Sequence, residues 1–187
     1  MGNSLGSIPE SQRPGGDARF NTDDHESMRG VVQALRWLWR QEGAPEGVLC
    51  IGTDRSTGDA LGPLVGSDLT HRLGSLPVWG TVEHPIHAAN LETLMKQHPD
   101  IGLRRILAID ASLGKLADVG TIVLGRGPLK PGAGVNKQLP PLGAYHVTAT
   151  VNVSGFMEYF VLQNTRLYLV MRLASFIAGA VTRSLAP

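Results

Sequence analysis

The chain has 187 residues, an apolar fraction of 42% and a net charge of +1 from 17 basic and 16 acidic side chains. That length predicts one domain with a sizeable core. The balanced charge leaves no electrostatic case for nucleic acid or an anionic membrane as partner. The one cysteine, Cys50, excludes an internal disulfide and points to a reducing compartment, the cytoplasm.

Residues 1–24 are rich in Gly, Ser, Pro, Asn and Asp and offer almost nothing to bury, which predicts a disordered tail ahead of a single domain over 25–187. The start of that tail has neither a basic opening nor an apolar run, so it does not read as a secretory signal. Helical spacing of Met28, Val31, Val32, Leu35 and Leu38 predicts a helix over 27–41, stopped by Gly43 and Pro45. The run Val48 to Ile51 is short, apolar and bounded by Gly52, a buried strand by its pattern. A polar loop comes after it, and from Gly58-Asp59 the spacing of Ala60, Leu61, Leu64, Val65 and Leu69 predicts a helix to residue 73. Strand, polar turn and helix form the first half of a βαβ unit.

A short strand over 77–81, a loop holding His84 and His87, and a helix over 88–98 come next. The second strong strand is 105–110, ending on Asp110. Further strands are predicted over 119–125 and 145–151, separated by a Pro/Gly-rich stretch (128–135) that denies both helix and ladder. Ser154 is a plausible cap for a helix over 155–163, and a last apolar helix runs to about residue 183. Arg172 interrupts its apolar run, so a buried helix is a better reading than a membrane span. The alternation argues for an α/β fold, a mostly parallel sheet covered on both faces.

Ligands and catalytic groups in such sheets gather beyond the carboxyl ends of the strands. Asp59 and Asp110 each follow a strand, which makes them the chemical centre of this reading. Asp59 reads either as a helix cap or as a functional acid crowded by Asp54, Arg55, Ser56 and Thr57. Asp110 reads either as a cap or ion-pair partner, or as the acid facing Asp59 across a crevice. Two close carboxylates can share a proton, activate a water or hold a divalent metal. His84 and His87 are a weak metal pair, and His146 reads as a packed strand residue. Cys50 reads as a buried, inert thiol. Ser56 and Ser112 lie outside any Gly-x-Ser-x-Gly turn, and the local glycines make neither a phosphate loop nor a dinucleotide fingerprint. Lys130 and Lys137 read as solvated lysines beside the Pro/Gly stretch, and Glu158 as a capping residue near Ser154. Asn152, Gln163, Asn164 and Arg166 serve either a groove or a structural hydrogen-bond network.

The strings Ile51-Gly-Thr-Asp-Arg-Ser-Thr-Gly-Asp-Ala-Leu-Gly-Pro63, Ala108-Ile-Asp-Ala-Ser-Leu-Gly114, Pro128-Leu-Lys-Pro-Gly-Ala-Gly-Val135, Val151-Asn-Val-Ser-Gly-Phe-Met-Glu158 and Leu162-Gln-Asn-Thr-Arg-Leu167 carry a resemblance. Over roughly residues 47–183 the chain resembles the YyaC family of sporulation proteins, a branch of the superfamily holding the spore germination protease and the hydrogenase maturation proteases. The resemblance implies a three-layer α/β/α sandwich of the phosphorylase/hydrolase-like kind. It also implies two acids needed for activity in the germination protease, which fall on Asp59 and Asp110. In the hydrogenase maturation branch the equivalent acids and a histidine bind the metal of the substrate; no histidine of this chain stands in a matching motif, and His84, His87 or His146 is the candidate for that place.

The expected function is a protease-like hydrolase of sporulating bacteria, acting in the cytoplasm of mother cell or forespore on a peptide or protein. Asp59 and Asp110 are the expected catalytic pair, with Asp54, Arg55, Gly132 and Asn152 about the substrate groove and no cofactor. Two other classes stay open: a non-catalytic peptide- or partner-binding protein, and a metal-dependent hydrolase with His84 or His87 completing a divalent site. The oligomeric state is not legible.

Overall fold

The computed structural model describes residues 17–129 and 142–187. Its elements are β1 (Ala18–Asn21), α1 (Ser27–Glu42), β2 (Gly47–Cys50), α2 (Leu61–Leu73), β3 (Val78–Trp79), α3 (Leu91–Gln97), β4 (Ile106–Gly114), β5 (Thr121–Arg126), β6 (Tyr145–Val153), α4 (Glu158–Gln163) and α5 (Leu167–Leu185). They form an α/β fold around one six-stranded sheet in the order β1-β5-β6-β4-β2-β3. The pairings β2–β3, β2–β4 and β4–β6 are parallel, while β5 runs antiparallel to both β6 and β1.

Side chains of a strand alternate between faces, and both faces of the central strands are covered, giving three layers. On one face Val48, Cys50, Leu107, Ile109, Ile122, Leu124, Tyr145, Val147 and Ala149 join the buried stripes of α1, α2 and α5 in the main core. On the other, Leu49, Ile51, Ile106 and Ala108 pack with Leu91 and Leu94 of α3 and with Leu129 and Leu142. Burial on both sides is why β2 and the start of β4 read as continuous apolar runs in the sequence.

The structure corrects the expected tail at Ala18–Asn21. These residues form the edge strand β1, with Ala18 and Phe20 buried against the main core. Just past the strand, the Thr22 hydroxyl donates to the Gly120 carbonyl at 2.7 Å and Asp23 forms an ion pair with Arg172, so both residues are tied to the domain. Two apolar residues in four were too few to stand out in a polar, glycine-rich stretch.

β4 is also longer than expected. It continues past Asp110 to Gly114, so Asp110 sits in mid-strand rather than at the strand's end. The last β2–β4 pair is Cys50–Ile109, while β6 accompanies β4 to its end across a register shift at Ser112/Leu113. Beyond Ile109 one edge of β4 therefore loses its strand neighbour, and the functional loop lies beyond the end of β2.

Ser154 does not cap α4. Its hydroxyl donates to the Gly114 carbonyl at 3.3 Å, and α4 starts three residues later than expected, after Met157 in the left-handed region. Glu158 does not act as a cap either: it opens α4, and its side chain accepts from the Gly155 N–H at 3.4 Å, in the loop ahead of the helix.

Candidate active site

β2 ends at Cys50, and the chain doubles back at once. The Thr53 N–H donates to the Asp59 carbonyl at 3.2 Å. A Cβ on Gly52 would overlap that same carbonyl oxygen, and φ is +146° there, so the turn requires glycine. α2 then packs directly on the strand it follows, since a Cβ on Gly62 would overlap the Ile51 carbonyl. Two glycines with no side chain in the way thus fix the loop 52–60 beyond the end of β2.

The helix-cap reading of Asp59 fails on this geometry. The residue flanking α2 is Ala60, and no side chain caps that terminus. The Asp59 carboxyl is free for other use, half-buried, and its proton affinity is raised by burial, with the nearby Ser56 hydroxyl opposing. Asp110 is the more perturbed of the two. Burial, and then the charge of Asp59, push it up to about 8, against the N–H of Ala111, which donates to its Oδ1 at 2.8 Å. Two acids from separate elements therefore interact, and at neutral pH Asp110 holds a proton.

On the face carrying Asp110, alternation places Ala108 before it and Ser112 after it on β4, and His146, Thr148 and Thr150 on β6. α3 covers this face as far as Ala108, and past that point the surface turns polar. A hollow of about 440 Å³ opens there, lined by Ser112, His146, Thr148, Thr150, Lys115 and Arg19 among others. Asp110 does not line it but pairs with Thr148, which does, so acid pair and hollow are adjacent along the sheet. The alternation Tyr145-His-Val-Thr-Ala-Thr-Val151 was the signal for this polar stripe, and reading the segment only as a β-branched strand missed it.

α4 is bound to the acid loop through the backbone and to β6 through an amide. The Gly58 N–H donates to the Leu162 carbonyl at 2.8 Å. Asn152 uses its whole side chain: Nδ2 donates to the Val161 carbonyl and to Thr165 Oγ1, both at 3.2 Å, and Oδ1 accepts from the Val153 N–H at 2.8 Å. Its amide holds α4 against β6. Asp54 and Arg55 stand exposed on the acid loop. Gly132, Lys130 and Lys137 lie outside the described residues.

Of the histidines, His84 is exposed beside Glu83, and His87 accepts from the Ala89 N–H at 3.2 Å. His146 is held between the Gly127 carbonyl at 3.1 Å and Asp17 at 3.6 Å. Among the described residues no three His, Cys, Asp or Glu side chains gather as a metal site. Cys50 is fully buried in the main core, where desolvation pushes its thiol far above the ordinary range and leaves it inert.

An α/β sheet with an acid pair beyond the end of a parallel strand defines the class, and the comparisons with known proteins give the family. The chain belongs to the family described as protein of unknown function (DUF1256), whose model matches residues 19–180. It is similar to the uncharacterized protein YyaC of Bacillus subtilis (strain 168), 51% identical over 147 residues that make up 78% of this chain and 72% of that one. The resemblance of the signature strings to the YyaC family therefore holds. Among solved structures, the [NiFe] hydrogenase maturation protease HycI from Thermococcus kodakarensis KOD1 aligns with a TM-score of 0.46 and 15% identity, covering 79% of this chain and 97% of that chain. No helix among the described residues is long and apolar enough to cross a membrane.

Proposed function

We propose that the protein is a peptide-bond hydrolase of sporulating bacteria that works through Asp59 and Asp110. The observation that supports this most is the interacting pair itself, with proton affinities raised to different extents. Carboxyls pushed apart in this way can divide the two roles of hydrolysis. Asp59, the less perturbed, is the base that takes a proton from water as it attacks the carbonyl carbon. Asp110, protonated at neutral pH, is the acid that gives its proton to the leaving amine. The hydroxyl-lined hollow beside Asp110 accommodates the extended backbone of the substrate, and the exposed Asp54 and Arg55 of the acid loop are available to its flanking side chains.

The test is cleavage of unfolded protein and peptide-library substrates by wild type, Asp59→Asn and Asp110→Asn. Cleavage by wild type and at least 100-fold less by each variant, the scale of a lost general acid or base, supports the reading. Equal cleavage by all three, or none by wild type, removes it.

A second reading is a peptide- or partner-binding protein without catalysis. It is favoured by the apolar side chains exposed on and around α4 and the start of α5: Phe156, Met157, Tyr159, Phe160, Tyr168 and Met171. Large apolar side chains left exposed along one stretch of chain fit an interaction site. Partner binding that survives both Asp→Asn changes supports this reading over hydrolysis.

A further inference from the structure

Among the described residues, large apolar side chains stand exposed singly at Val82 and Leu116 and together only between Phe156 and Met171. Phe156 is 90% exposed, and Met157, Tyr159, Phe160, Leu167, Tyr168 and Met171 are each at least half exposed. Single exposed hydrophobes are ordinary, and a run of seven is not. The stretch is no loose end. The Ser154 N–H donates to the Gly114 carbonyl at 2.7 Å, and Asn152 ties both Val161 and Thr165 to β6. Met157, at φ +59°, is the one non-glycine residue with a positive φ among those described, a conformation that a residue with a Cβ adopts only at a cost. The fold therefore holds these side chains out in a fixed arrangement.

The inner side of the stretch is already used. Leu162, Leu169 and Val170 pack on the main core, and Thr165 is buried. The exposed set is what remains on the outer side. Tyr159 and Phe160 meet edge to face at 5.7 Å, and Leu167, Tyr168 and Met171 share one face of α5 by their spacing. At roughly 200 Å² per aromatic residue, the four aromatics leave about 540 Å² uncovered. Met157, Leu167 and Met171 bring the total toward the ~800 Å² that each partner contributes to a stable protein–protein interface.

Charge indicates which partner fits. From Asn152 to Met171 the charged residues are Glu158 and Arg166, one of each sign. Among the described residues neither forms an ion pair within its own chain. A lipid surface calls for a cluster of basic residues around the apolar face, and this face has none. In a two-fold contact the same patch meets itself, so each acid of one copy is available to a base of the other. A net charge of +1 sets little repulsion between copies.

We propose that the outer face of α4 and the first turn of α5 is the contact between two copies of this chain. The contact goes beyond the hydrolase reading and needs neither acid. It lies next to the acid loop of each copy, because the Leu162 carbonyl of α4 accepts the Gly58 N–H.

The experiment is sedimentation equilibrium of the full chain, for wild type, Phe156→Glu, Tyr168→Glu and the control Leu116→Glu, with circular dichroism to confirm folding. All three substituted side chains are exposed, and either of the first two decides if the other does not fold. Wild type is expected to sediment as a dimer in concentration-dependent equilibrium with monomer. Phe156→Glu and Tyr168→Glu each weaken the dimer at least about tenfold, since each sets two like charges into an apolar contact, while Leu116→Glu leaves it unchanged. A wild type that stays monomeric at every concentration overturns the inference, and so does a wild type that forms only heterogeneous aggregates. A dimer unmoved by both face variants, or weakened equally by Leu116→Glu, also overturns it. Monomeric wild type that binds anionic phosphatidylglycerol vesicles overturns it in favour of a lipid surface. None of these outcomes depends on cleavage, so the hydrolase reading fails or stands separately.

Discussion

Asp110 comes from the middle of β4 and Asp59 from the loop before α2, yet the charge of Asp59 is one of the two causes, after burial, that hold a proton on Asp110 up to about pH 8. The relationship depends on unequal strand lengths. β2 stops at Cys50 while β4 runs five residues beyond Ile109, and the loop that leaves β2 turns back beyond its end.

A raised acid has a definite consequence for stability. Between the ordinary carboxyl value of 3.8 and about 8, the native state holds a proton on Asp110 that the unfolded chain has lost. More protons bound in the native state mean that stability falls as pH rises. The contribution of Asp110 is therefore full below about pH 4, declines through the interval and is exhausted above about pH 8. Asp110→Asn, neutral at every pH, removes this loss. Urea unfolding is expected to show wild type and variant alike near pH 4.5, and the variant more stable by a few kcal/mol at pH 8, at no more than ~1.4 kcal/mol per pH unit.

Two glycine-to-alanine changes in helices are expected to have opposite signs. Helix propensity alone makes either substitution favourable by about 1 kcal/mol. At Gly179 of α5 the nearest atom to a new Cβ is the flexible end of Met28, 3.8 Å away, so Gly179→Ala is expected to stabilise. At Gly62 of α2 the new Cβ would overlap the backbone carbonyl of Ile51, which cannot give way without moving β2. Gly62→Ala is expected to cost about 2 kcal/mol or more and to move Asp59 off Asp110. Urea unfolding reads the stabilities, and the carboxyl titration of Asp110 reads the displacement.

The edge strand β1 gives a third test. Phe20 is buried, and its ring lies against Gly30 of α1. If β1 belongs to the folded domain, Phe20→Ala costs about 3–5 kcal/mol, the usual loss for a buried aromatic. A detachable tail would lose nothing, and chemical denaturation separates the two.

The central strands were legible because burial on both faces writes an unbroken apolar run, as in Val48 to Ile51, and the long helices because their buried faces recur at helical spacing. Asp110 stood out as an acid closing such a run, and Asp59 as the acid at the far end of the polar loop that follows another. Four features were not legible, each for a physical reason. β1 buries only Ala18 and Phe20, too few for a pattern. The extension of β4 past Asp110 depends on pairing with β6, a contact between residues far apart in sequence. The role of Asn152 depends on where α4 comes to rest, and no local rule distinguishes an amide that holds a helix from one that faces a groove. Ser56 looked like one more polar loop residue until its burial was known.

The most direct measurement of the central claim is the titration of the Asp110 carboxyl carbon in wild type and in Asp59→Asn. The account predicts a wild-type midpoint near 8 and a lower one once the Asp59 charge is gone, with burial keeping it above the ordinary carboxyl value of 3.8. A midpoint near that ordinary value in wild type, or the same midpoint in both proteins, would contradict it.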